Sequence, residues 1–200
     1  MRLPHIACSA AALLLLAACS QAPAPLAQGS WTLDPARSEL SFVTVKAGTV
    51  AEAHGFGKLA GSVGPDGAAV LDIDLASVAT GVDIRDQRMR DVLFETATYP
   101  KASVSAKLDP AAFAQLGVGE SKTVPITATL DLHGMKEAVD TKLTVTRAGP
   151  DMVLVTTTRP IIVDAASFGL GEGVEKLREL ASLPAIAPAV PVSFTLTYTR

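Results

Sequence analysis

The sequence predicts a mainly all-β domain, an antiparallel sandwich or barrel, and three observations carry that expectation. Short stretches that alternate apolar and polar residues recur along the chain. Turn signals such as Gly64-Pro65-Asp66-Gly67 and Gly149-Pro150-Asp151 separate them. The chain also ends in such a stretch, so a last strand is available to close against the first. Many short strands at close spacing suit a sandwich or barrel, and closure removes exposed sheet edges.

Taken in order, the amino terminus stands apart from this pattern. Met1 and Arg2 give a short positive start, and the residues from His5 to Ala18 are almost all apolar or small. That run suits a signal-peptide core and is too short to cross a bilayer of ~30 Å. Leu16-Ala17-Ala18-Cys19 reads as a lipobox, in which small residues precede the Cys whose thiol receives the lipid. Cys8 falls in the removed segment, so the mature chain from Cys19 has no disulfide partner and depends on core burial. Gln21-Ala22-Pro23-Ala24-Pro25 reads as an extended tether. The expected organisation is a lipoprotein signal peptide over 1–18, lipidated Cys19 and a flexible tether over 19–29, and a barrel domain over 30–200. Ser20 follows Cys19 where an inner-membrane retention signal would have Asp. This predicts a cell-envelope protein anchored in the outer membrane and facing the periplasm.

Ser38 to Lys46 alternates with Leu40 and Phe42 on one face, and Phe56 to Val63 is the next candidate strand. After the Pro65-Asp66 turn, Ala69 to Leu75 places Leu71 and Ile73 against Asp72 and Asp74. Lys101 to Leu108 carries Ala102, Val104 and Ala106 on one face. Val124 to His133 puts Ile126, Ala128, Leu130 and Leu132 together, and Ala138 to Arg147 does so with Val139, Leu143 and Val145. Met152 to Thr158 forms a hairpin with it, and Val190 to Thr199 ends the chain with Val192, Phe194, Leu196 and Tyr198 aligned. Two stretches show helical spacing instead: Ile84 to Thr96, and Gly173 to Ser182, the latter stopped by Pro184, Pro188 and Pro191. They read either as lids over a cavity mouth or as plugs for the ends of a barrel.

Little in the chain nominates chemistry. His54 and His133 are the mature histidines and form no ligand pair, so neither a metal nor a cofactor is expected. No Gly-x-Ser-x-Gly elbow is present. Gly55-Phe56-Gly57-Lys58-Leu59-Ala60 lacks the βαβ setting of a dinucleotide fingerprint, and its glycines suit a strand that bends. Gly169-Leu170-Gly171-Glu172-Gly173 reads as a flexible connector. With net charge -3 and 17 scattered Lys and Arg, no nucleic-acid surface is expected.

From Ser30 to Arg200 the chain resembles the YceI-like family of lipid-binding periplasmic proteins. The resemblance begins at Trp31-Thr32-Leu33-Asp34-Pro35 with Ser38, Leu40 and Phe42, and runs through Gly55-Phe56 and Ser77-Val78…Thr80-Gly81…Arg85-Asp86. Its most specific block is Met89-Arg90-Asp91-Val92-Leu93-Phe94-Glu95…Tyr99-Pro100-Lys101, followed by Leu132-His133-Gly134-Met135-Lys136 and Phe168-Gly169. Val92-Leu93 stands where the family pattern has Asp-Phe. The resemblance implies a lipocalin-like antiparallel barrel, capped by one or two short helices, with an apolar tunnel. It also implies a non-enzymatic protein whose ligand is a polyprenol or isoprenoid quinone.

Alternation and the family pattern together nominate Leu40, Phe42, Phe56, Leu130, Leu132, Leu154, Phe168 and Phe194 as tunnel lining, with ordinary core packing as the competing reading. Arg85 is the candidate for the headgroup or mouth, although a structural role for Arg85 and Asp86 competes. Trp31 is expected to pack across a barrel end. The leading function is carriage of an apolar lipid. The alternatives are an envelope-stress or interaction module with a packed barrel and no ligand, and an enzyme with a titratable cluster in its cavity. Oligomeric state stays open, a dimer included.

Overall fold

The computed structural model describes Leu26 and residues 29–200. The expected signal peptide, Cys19 and most of the expected tether lie outside the described residues. The strands are β1 (Trp31–Leu33), β2 (Glu39–Lys46), β3 (Val50–Phe56), β4 (Leu59–Val63), β5 (Ala68–Asp74), β6 (Val78–Ala79), β7 (Lys101–Lys107), β8 (Ser121–Leu132), β9 (Met135–Gly149), β10 (Met152–Thr157), β11 (Ile161–Asp164) and β12 (Ala189–Thr199). Helix α1 (Asp83–Arg88) runs on into a π-helical turn over Met89–Leu93, and α2 spans Gly171–Leu180. The order β1-β4-β5-β7-β8-β9-β10-β12 returns from β12 to β1, so the antiparallel sheet closes into an eight-stranded barrel. β2, β3 and β6 prolong the wall on one side of β12, and β11 pairs with β12 on the other.

Aspartates make these strands bend. Asp34, Asp74 and Asp164 each lead into a single 3₁₀ turn: Pro35–Arg37, Leu75–Ser77 and Ala165–Phe168. In each, the carboxylate accepts the N–H two residues on, at 3.1, 2.9 and 3.0 Å. The short side chain reaches its own backbone and so offers the chain an alternative to the ladder. β1 with β2, and β5 with β6, are thereby single wall paths bent in the middle.

The hairpin between β8 and β9 turns on His133 and Gly134, with φ of 54° and 78°. Two positive values suit a two-residue connection that matches strand twist. The candidate strand over 56–63 is broken instead at Gly57-Lys58, where the Gly57 N–H donates to the Ser77 carbonyl at 2.9 Å. The glycines after Phe168 are not a flexible connector: Gly169, at φ 69°, caps the 3₁₀ turn, and α2 starts at Gly171.

One end of the barrel is covered by α1, its π turn and α2. A Cβ on Gly173 would stand 3.1 Å from Leu93 Cα and from the Val92 carbonyl oxygen, so glycine lets α2 lie directly on the turn. Arg88 Nη1 donates to the Leu180 carbonyl at 3.2 Å and ties the helices together. At the other end Trp31, Phe113 and Tyr198 are buried, and the guanidinium of Arg200 lies 5.5 Å from the Trp31 ring centroid. Buried Arg147 holds the Leu116 carbonyl there at 3.0 Å. The Leu26 N–H donates to the Ala114 carbonyl at 3.1 Å, and its side chain packs against the core.

The turn before β5 yields a stability prediction. Gly67 has φ +81°, and a Cβ there would fall 2.2 Å from the Leu108 carbonyl oxygen. Gly67→Ala is expected to lower stability by about 2–3 kcal/mol, read as a lower urea midpoint at unchanged slope; an unchanged midpoint would mean the turn relaxes freely.

Candidate functional site: an apolar cavity with a charged mouth

The barrel encloses a cavity of about 410 Å³, within the size range of small-molecule sites. Its existence follows from side-chain size. Ala69 of β5 lies opposite Ala106 of β7, and Ala106 lies opposite Ala128 of β8, all three on the lining. A row of three alanines across three neighbouring strands leaves space that Leu or Val would fill. Ala102, opposite Ile73, adds a fourth small position. Around the row the wall is aliphatic and aromatic, and Phe42, Phe56 and Phe94 form a chain with centroid separations of 5.3 and 6.0 Å.

The helical cap contributes to the same wall. Met89 and Leu93 come from the π turn, and Val174 and Leu177 from α2. A second, smaller cavity of about 110 Å³ lies at the Trp31 end. Val63, Leu108, Val155 and Tyr198 line both cavities and so form the partition between them. Burial pushes the Tyr198 phenol up to about 12, so its proton stays on.

Charged side chains on the lining gather at the helical end. Lys46, Glu52, Arg85 and Arg88 are those groups, with Thr44 and His54 just below them. Glu52 Oε2 accepts from Lys46 Nζ and from Arg85 Nη1, each at 2.7 Å. The hydrogen bond from Lys46, with Arg85 adding to it, holds the Glu52 carboxyl below its usual range. Arg85 also donates from Nε to Thr80 Oγ1 and from Nη2 to the Thr80 carbonyl, both at 2.8 Å. Asp86 accepts from the Thr80 N–H at 2.9 Å and from the Thr80 hydroxyl. Arg85 and Asp86 thus meet on Thr80 rather than on each other, and Arg85 takes its carboxylate partner from β3.

His54 sits below this cluster and is 6% exposed. Its Nε2 lies 3.0 Å from Thr44 Oγ1, and its Nδ1 has no hydrogen-bond partner. The ring makes an edge contact with Phe42, its direct neighbour across the β2–β3 ladder. Burial, and then the positive charge of Arg85, push its pKa below the usual histidine value. His133 is remote from the cavity lining: its Nε2 lies 2.9 Å from Glu95 Oε2, and its ring rests on Tyr99.

Of the nominated lining residues, Leu40, Phe42, Phe56, Leu130, Leu132 and Phe194 lie on the cavity wall, and Arg85 lies at its mouth. Leu154 and Phe168 do not. Alternation along β10 turns Val153 and Val155 inward and leaves Leu154 on the other face. Phe168 is buried in the 3₁₀ turn after β11, packed towards β9 and α2 rather than on the tunnel. Glu52, His54 and the alanine row were not nominated. The alanines had a signal, small residues at every second position of an apolar strand face. His54 and Glu52 had none, because alternation selects apolar positions. Among the described residues no group of three or more His, Cys, Asp or Glu could hold a metal.

A closed antiparallel barrel covered at one end by helices, with an apolar interior and charges at one mouth, has the architecture of a protein that can enclose an apolar molecule. The chain belongs to the YceI-like family, whose domain it matches over residues 31–198. It is similar to a polyisoprenoid binding domain from Saccharophagus degradans implicated in plant cell wall breakdown. That match has 47% identity and a TM-score of 0.83, and covers 84% of this chain and 97% of that one. Burkholderia cenocepacia BcnA shares the fold at 23% identity and a TM-score of 0.63, over 82% of this chain and 98% of its own. No curated protein matches the chain.

His54 makes stability depend on pH. With its pKa lowered in the fold, the unfolded chain takes up a proton first as pH falls below the unfolded value of about 6.5. Stability is fully present above that value and is lost down to the folded pKa, below which no further loss accrues. Urea titrations at pH 7.5 and 5 should show a decline in the parent that is smaller in His54→Asn; equal declines would assign it to other groups.

Proposed function

We propose that this protein is a non-enzymatic carrier or reservoir of a long isoprenoid-type lipid, a polyprenol or isoprenoid quinone, in the cell envelope. The carrying observation is the cavity itself: apolar along its length, opened by the Ala69–Ala106–Ala128 row, with its charges confined to the helical end. Desolvating an apolar chain there yields ~25 cal/mol per Å² of buried surface, which requires no reacting group. The 47%-identical Saccharophagus degradans domain is described as polyisoprenoid binding, which supports the same ligand class here. At the mouth Lys46, Glu52 and Arg85 are engaged with one another and Arg88 with the Leu180 carbonyl, and the Thr44 hydroxyl beside His54 has no carboxylate on the other ring nitrogen to complete a triad. A packed barrel without ligand does not fit a 410 Å³ interior. In this reading Cys19 carries the lipid that tethers the domain to the outer membrane on its periplasmic side.

Two measurements test this reading. Organic extraction and mass spectrometry of the chain from Ser20, produced in the bacterial periplasm, should yield a stoichiometric isoprenoid lipid, and Ala128→Phe should lose it while keeping a parental circular-dichroism spectrum. Protein that emerges empty and takes up neither quinone nor polyprenol would remove the carrier reading in favour of an interaction module. For the anchor, Cys19→Ala should move the protein from the membrane fraction to the soluble one; retention in the membrane fraction would show that Cys19 is not the tether.

A further inference from the structure

Among the inward positions of β2 and β3, polarity rises rung by rung toward the mouth: Leu40 and Phe56, then Phe42 opposite His54, then Thr44 opposite Glu52, then Lys46. His54 is the step that is left incomplete. Its ring is more than nine-tenths buried on the lining of an apolar cavity, and Nδ1 meets no protein partner. Buried polar atoms are nearly always paired, and a ring nitrogen held between phenylalanines and a charge cluster is placed to be paired by what the cavity holds.

We propose that His54 is the residue that recognises the head of the lipid, through a hydrogen bond between Nδ1 and the oxygen of an uncharged head, a quinone carbonyl or a polyprenol hydroxyl. This rests on the lipid-binding reading given above and adds its polar specificity.

The Thr44 hydroxyl can serve either tautomer: when it donates to Nε2 the proton stays on Nδ1 and the ring donates to a quinone oxygen, and when it accepts from Nε2 the free Nδ1 accepts from a polyprenol hydroxyl. The lowered pKa of His54 keeps the ring neutral, so it does not act as a cation for a phosphate. The charges above it support the same choice. Lys46 and Arg85 share Glu52, Asp86 is drawn in through Thr80, and Arg88 is tied to the Leu180 carbonyl, so each cation of the lining already has a partner. A diphosphate would have to break those pairs, whereas a neutral oxygen meets His54 without disturbing them.

The test measures affinities of the mature chain, stripped of endogenous lipid, for four probes: a short-chain ubiquinone, geranylgeraniol, geranylgeranyl diphosphate and squalene. The parent should bind ubiquinone and geranylgeraniol more tightly than the diphosphate. His54→Leu should weaken ubiquinone binding about tenfold, the size of one lost neutral hydrogen bond, with squalene binding shifted less than twofold. His54→Asn, whose amide nitrogen lies near the Nδ1 position, should recover most of the loss. The ¹⁵N shifts of the His54 ring should move with ubiquinone and stay in place with squalene. Equal weakening of ubiquinone and squalene, or no recovery with asparagine, would make His54 a packing residue and overturn the proposal. Tightest binding of the diphosphate would overturn the uncharged head. A parent that binds none of the four would instead overturn the carrier reading itself, and thermal melts of each variant separate misfolding from lost recognition.

Discussion

Everything inside this barrel depends on the seam along β12. One edge of β12 carries β10 and then β11, and the other carries β1 and then β2. The second edge is interrupted, because the turn after Asp34 takes Pro35–Arg37 out of the ladder. Thr197 faces the gap. Its carbonyl accepts from the Asp34 N–H at 2.8 Å, its N–H donates to Ser38 Oγ at 2.9 Å, and its hydroxyl donates to the Arg37 carbonyl at 2.7 Å. Buried backbone groups have to be paired, and here side chains supply what the missing ladder bonds would have given. Thr197 is consequently 3% exposed despite its hydroxyl. With the seam satisfied, the sheet closes and has an inside.

That inside could have been solid. Facing strands of Leu, Ile and Val would fill a small barrel, as side chains do in other barrels of this strand number. The alanine row prevents it on one wall while the opposite wall keeps Phe42, Phe56 and Phe194, and the difference in size leaves the void. The ends are treated differently from each other. At one end Val63, Leu108, Val155 and Tyr198 separate the main cavity from the smaller one beneath Trp31 and Phe113, whereas the other is covered by two helices resting on each other through Gly173. The α1 turn meets the cavity through Met89 and Leu93, and a π-helical turn at that position, a feature frequent at functional sites, brings both side chains to the lining.

Polarity in the cavity is graded rather than mixed. The β2–β3 ladder carries the gradient, because its inward residues change from aromatic to hydroxyl to charged within a few positions. Ion pairs hold Lys46, Glu52 and Arg85 together and the Leu180 carbonyl holds Arg88, so the charged groups at the mouth are each engaged.

Much of this was legible in the sequence. Period-two alternation in β5, β7, β8, β9 and β12 identified their inward faces, since one face of each strand meets apolar surroundings and the other meets water. The helical spacing of Met89 and Leu93 in the π turn after α1, and of Val174 and Leu177 in α2, was legible for the same reason. β3 was missed because its inward residues are Glu52, His54 and Phe56 and its outward ones Ala51, Ala53 and Gly55, which inverts the usual pattern; binary patterning fails where a wall serves a ligand rather than a core. β1, β6 and β11 span only Trp31–Leu33, Val78–Ala79 and Ile161–Asp164, too short to show a period. Leu154 and Phe168 show the reverse error, since apolarity reports burial and not which side of the wall a side chain occupies. From the sequence alone come the all-β class, the inward faces of the longer strands and the family resemblance, because those follow from local alternation and residue order. Only the tertiary structure decided that Ala69, Ala106 and Ala128 stand in one row, that Thr197 bridges the seam, and that His54 lies among phenylalanines with a nitrogen unpaired. Register between distant strands and the meeting of side chains across a closed sheet are properties of the whole barrel, which no local pattern encodes.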